Sequence, residues 1–99
     1  MVSLDGRVLR VSVPLTMTVA RGVVEAGLPH LKGGDIEVDL SAVPEADSSA
    51  LAVLLAWQRE QKRRGGSLRV IGVPAGLSSI ARVYGADSEI DGIAPGDGR

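Results

Sequence analysis

Three short runs alternate apolar with polar residues: VLRVSV at 8–13, DIEVDL at 35–40 and SLRVIGV at 67–73. Each is followed by a stretch with apolar residues at helical spacing. A period of two marks a strand and spacings of three and four mark a helix, so the chain reads strand, helix, strand, helix, strand, helix. That order limits the fold more than any single motif does. Strands separated by helices run parallel through right-handed crossovers, which predicts an α/β domain with a sheet parallel at its centre and helices packed on it.

End signals place the elements. A turn at Asp5-Gly6 precedes the first run, and the residues before Asp5 can supply the first strand of a hairpin. Pro14 ends that ladder, and Thr16 is placed to cap a first helix. Val19, Ala20, Val23, Val24 and Leu31 share one side of it, while Gly22, Gly27 and Pro29 weaken it. Asp47 stands where an N-cap belongs, strong helix formers run from Ala50 to Trp57, and Gly65-Gly66 supplies a stop, so a helix over 48–64 is the clearest element. Leu77, Ile80, Ala81 and Tyr84 fall on one face of a last helix that stops at Gly85. The 99 residues make a single domain, 1–99, with its core over about 7–85. The tail from Asp87 to Arg99, rich in Gly, Asp and Pro with little to bury, is expected to fray.

Composition removes several function classes. A net charge of −1 gives no field to hold a polyanion, and with no Phe, one Trp and one Tyr there is no aromatic platform for stacked bases. Nucleic acid is therefore not an expected partner. The chain has no cysteine and one histidine, His30, so thiolate zinc sites and histidine clusters are excluded, and Glu37, Asp39, Glu45 and Asp47 are not spaced as a metal set. No metal and no cofactor are expected. Asp5, Arg7 and Arg10 interrupt the start where a signal peptide would be apolar, and no stretch approaches the roughly 20 apolar residues of a membrane span. The reading is an intracellular protein without direct membrane insertion.

The most informative stretch is PEADSSALAVLLAWQ, residues 44–58, which sets a carboxylate and two hydroxyls in front of eight apolar residues. A serine nucleophile would need a base within hydrogen-bond reach, but the one histidine follows a different helix and GxSxG is absent. No catalytic residue is assigned, and an enzyme is not expected. Hydroxyls in a first helical turn lie beside free backbone N–H groups, a position suited to contact with another protein. A phosphate there would favour the helix dipole and oppose Asp47, and so act as a switch. The apolar run covers more than one side of its helix: Leu51, Leu54, Leu55 and Gln58 form one row, and Ala50, Val53 and Trp57 another. One row can face the sheet; the other can face a neighbouring helix or a partner. The basic cluster Arg59, Lys62, Arg63 and Arg64 lies in the last turns of that helix, where positive charge offsets the dipole. GVPAGLSS at 72–79 is a glycine-bearing strand-to-helix turn without the GxGxxG or GK[ST] of a phosphate loop.

Taken together, VDLSAV, DSSALAVLL, GGSLRVIGVP and LSSIARVYG resemble a STAS domain, the fold of anti-sigma factor antagonists, from about Arg7 to Gly85. Within that family WQREQKRRGG and ARVYG are most similar to the MlaB-type branch, the small cytoplasmic STAS subunits of bacterial phospholipid-transport ABC complexes. The resemblance implies a mixed sheet of about four strands with about three main helices mostly on one face. It also implies a docking surface at the loop and first turn of the second helix, matched by Asp47, Ser48 and Ser49, with Ala50, Val53 and Trp57 adding apolar area. In the antagonists the phosphorylated hydroxyl corresponds to Ser49; in the transporter subunits the hydroxyl at the ATPase contact corresponds to Ser48. Ala50 departs from the glycine common in both branches, and Tyr84-Gly85 departs from the Thr-Gly close of antagonists, which favours the transporter branch. The implied role is a non-enzymatic regulatory subunit bound to an ABC transporter ATPase, cytoplasmic and peripheral to the inner membrane through that ATPase. The alternative is an anti-sigma factor antagonist switched by a serine kinase.

Overall fold

The computed structural model describes residues 2–93. The elements are β1 (Val2–Asp5), β2 (Val8–Val11), α1 (Ala20–Gly27) with a 3₁₀ turn (Leu28–His30), β3 (Asp35–Asp39), α2 (Ser49–Arg63), β4 (Ser67–Ile71) and α3 (Leu77–Val83). The sheet order is β1-β2-β3-β4, with β1 antiparallel to β2 and the other neighbours parallel. Three helices and a mixed four-stranded sheet are the architecture expected from the sequence. The hairpin turns through Gly6 at φ +64°, a conformation that glycine takes without a Cβ penalty.

Strand alternation divides the sheet into two faces. Leu9, Val11, Ile36, Val38, Leu68 and Val70 are buried, whereas Arg10 and Arg69 between them are exposed. α1 and α2 pack on each other, and α2 packs on β4. On the open face Glu37 lies in register with Arg69, and Arg10 with Asp39, so opposite charges sit on neighbouring strands.

Trp57 explains the glycine at the end of α1. Its ring is fully buried, its Nε1–H donates to the Val24 carbonyl at 3.1 Å, and a Cβ on Gly27 would collide with the ring. A residue that weakens the helix locally is thus required by the packing of the next one. Both later helices end in the same way. Gly65 (φ +78°) and Gly85 (φ +73°) follow α2 and α3, with Gly66 N–H bonded to Gln61 O at 2.9 Å and Ala86 N–H to Ala81 O at 2.8 Å. This is the Schellman pattern, in which a left-handed glycine lets the following N–H groups satisfy the last carbonyls.

Two expectations are corrected. Thr16 does not cap α1: the helix begins at Ala20 with no side-chain cap, and Val19 is exposed, because the chain after Pro14 first runs beside the segment before α2. Leu15 N–H donates to Glu45 O at 2.8 Å, and Asp47 N–H donates to Leu15 O at 3.1 Å. Nor does the core stop near residue 85. Ala86, Ile90 and Ile93 are buried, and Val70 N–H donates to Asp91 O at 2.9 Å, so the segment to Ile93 covers the outer edge of β4. The rest of the tail, 94–99, lies outside the described residues.

Candidate partner-docking site at the start of α2

The C-terminal ends of the parallel strands carry three loops, 12–19, 40–48 and 72–76, and α2 starts among them. Asp47 ties two of these loops together. Its Oδ1 accepts the Ser49 N–H at 2.8 Å and its Oδ2 accepts the Met17 N–H at 3.2 Å, while its carbonyl accepts the Ala50 N–H at 3.0 Å. The carboxylate therefore does the work of an N-cap, although the residue flanking the helix is Ser48. The Ser49 N–H is the largest influence on the Asp47 carboxyl and holds it below its ordinary value; desolvation, next in size, opposes this, and the Met17 N–H adds a smaller lowering contribution.

Ser48 is exposed and makes no side-chain capping bond, so its hydroxyl faces outward from a fixed backbone. Ser49 is half-buried beside Asp47. The other three residues expected at the interface do not reach the surface. Ala50, Val53 and Trp57 are each 0% exposed, because α1 covers the Trp57 row and the sheet lies beneath the helix. Their place in the docking surface is corrected to a place in the core.

Met17, which the sequence reading did not single out, is 77% exposed and is held by its N–H to Asp47 next to Ser48. Its only sequence signal is an apolar side chain between two threonines in a loop. The three loops carry the carboxylates of Glu45 and Asp47 and no Lys, Arg or His. Gly72, at φ +64°, brings the third loop against the second, since a Cβ there would crowd the Ser41 backbone and the Asp39 carboxylate. That carboxylate accepts the Ser41 N–H at 2.9 Å, which lowers the Asp39 pKa.

The basic cluster belongs to the other end of α2, and two of its four residues are engaged in structure. Arg63 and Arg64 pair with Glu60, and Arg64 Nη1 donates to Leu31 O at 2.7 Å. Gln61, fully buried, donates to Lys32 O and Gly34 O, fastening the end of α2 to the loop before β3. His30 and the serines of α2 belong to separate elements, with His30 in the 3₁₀ turn after α1. Among the described residues no three His, Asp or Glu side chains gather as metal ligands, and no helix is long and apolar enough to cross a membrane.

Parallel central strands, one helical layer and a helix start fixed by an acidic cap define a STAS-type fold. The sequence profile of the family described as "Mlab, STAS domain" matches residues 2–93, and the chain belongs to that family. Two solved structures share the fold. One is a Thermotoga maritima protein described as a candidate anti-sigma factor antagonist, with 15% identity, TM-score 0.71 and coverage of 92% of this chain and 82% of that one. The other is the anti-sigma factor antagonist SpoIIAA in its unphosphorylated form, with 14% identity, TM-score 0.68 and coverage of 91% and 84%. Among curated proteins no sequence matches the chain.

Proposed function

We propose that this protein is a non-enzymatic regulatory subunit of a bacterial Mla-type ABC phospholipid-transport complex, docking on the cytoplasmic ATPase subunit through the start of α2. The observation that carries the reading is the exposed Ser48 hydroxyl on a backbone fixed by Asp47, in a chain that matches the MlaB-type family over residues 2–93. A subunit of this kind raises its partner's turnover by binding the competent conformation more tightly than the others, which is a population shift. It takes no nucleotide or metal of its own, and it meets the inner membrane through the ATPase.

Affinity purification of the tagged protein from its own cells, with mass spectrometry of partners and of the peptide containing Ser48 and Ser49, tests the reading. An ABC ATPase recovered with both serines unmodified supports it. A serine kinase or anti-sigma factor, with phosphate on Ser49, supports the second reading instead. That reading draws on one observation: Ser49 sits where its N–H reaches Asp47, so a phosphate there would bring roughly 1.5 to 2 negative charges against the carboxylate that holds the loop.

A further inference from the structure

Scattered exposed apolar side chains are ordinary on a protein surface, and exposure alone says nothing about Met17. Three observations set it apart. Its backbone N–H is held by the Asp47 carboxylate, so its place relative to Ser48 is set by the same group that starts α2. The loop that carries it is bonded to the segment before α2 on both sides of Leu15, through Glu45 O and Asp47 N–H. The charge of the three loops is negative: 12–19, 40–48 and 72–76 contain Glu45 and Asp47 and no basic side chain, with Arg21 in the first turn of α1 as the next cation along the chain and Lys62, Arg63 and Arg64 at the far end of α2.

We infer that Met17 is the apolar anchor of the docking surface, and that the partner presents an apolar pocket rimmed by Lys or Arg side chains. The inference rests on the reading of this end of the molecule as the ATPase contact, and it adds the residue and the partner chemistry. An unbranched, polarizable side chain fits an irregular pocket, and Met is enriched where proteins meet. Glu45, exposed on the segment whose backbone pairs with Leu15, supplies charge that a basic rim complements, chiefly by speeding encounter. Asp47 acts as a positioning residue: by holding the Met17 N–H it keeps anchor and Ser48 hydroxyl in one arrangement, so the partner meets both at once.

Calorimetric titration into the purified ATPase subunit of the Mla-type complex from the same organism tests this with wild type, Met17→Asp, Met17→Leu, Glu45→Lys and Ser48→Arg. Thermal melts accompany each variant. Met17→Asp is expected to weaken binding by about thirtyfold or more, the scale of an interface hot spot, with its melt unchanged because the side chain is exposed. Met17→Leu should bind within about threefold of wild type, and Glu45→Lys should weaken binding several-fold, most at low salt. Wild-type affinity of Met17→Asp, with Ser48→Arg defective, would overturn the Met17 assignment and leave the docking site standing. Wild-type protein that fails to bind the ATPase would overturn the reading and the inference together.

Discussion

The Asp47 carboxylate accepts the backbone N–H of Met17 at 3.2 Å from a loop thirty residues earlier in the chain. Since the other oxygen accepts the Ser49 N–H, one side chain fixes both the start of α2 and the loop that follows β2. Removing it should disturb the two together.

Asp47→Ala is therefore expected to lower the thermal midpoint by about 5 °C, the usual effect of losing a helix cap in a domain of this size. Amide hydrogen exchange should speed up at both Met17 and Ser49. Faster exchange at Ser49 with no change at Met17 would show that the two loops are not coupled through this carboxylate.

The same group predicts a pH dependence. The folded-state pKa of Asp47 lies below its ordinary value, so its stabilising contribution is fully present above the unfolded value near about 3.9 and is lost as pH falls through the lower folded one. Asp47→Asn keeps the shape but cannot accept both N–H groups. Urea unfolding of wild type and Asp47→Asn should differ at pH 7, and the gap should shrink as pH falls below the unfolded-state value and through the lower folded one. A gap that widens in acid would contradict the assignment.

Gly27→Ala ought to favour α1 on helix propensity alone, by up to about 1 kcal/mol. The structure predicts the opposite sign, because the added Cβ meets the Trp57 ring. Trp57→Ala should cost about 3–5 kcal/mol by urea denaturation, as expected for emptying a fully buried aromatic site. Trp57 is the only tryptophan, so its emission should be that of a buried indole and stay unchanged when a partner binds. A partner-induced shift would return Trp57 to the interface.

Ile90→Ala should destabilise by about 2–5 kcal/mol, whereas Val83→Ala, at a side chain 81% exposed, should change stability by less than about 0.5 kcal/mol. Equal melts for the two variants would mean that the segment after α3 does not belong to the core.

The strand order, α2 and the glycine stops were legible because period and capping are local signals: DIEVDL alternates, and Gly65-Gly66 closes a Schellman motif whatever lies nearby. The capping role of Asp47 was legible for the same reason. What failed was tertiary. Whether the Ala50, Val53 and Trp57 row meets a partner or α1 depends on Gly27 leaving room for an indole, thirty residues away. Thr16 looked like a cap because the pairing of Leu15 with Ala46 has no local signature. Ile90 and Ile93 were hidden in a polar tail because two spaced isoleucines show no period, yet the uncovered edge of β4 gives them a place. Met17 carried no pattern at all until Asp47 was seen to hold it.

The central claim is that the start of α2 is the surface on which an ATPase subunit docks. Hydrogen–deuterium exchange of this protein alone and bound to that ATPase tests it most directly. The account predicts slowed exchange confined to residues 15–19 and 45–50, with the open sheet face and the end of α2 unchanged. Protection of Arg10, Glu37 and Arg69 on the sheet, or of Lys62 to Arg64, with none at Ser48, would contradict it.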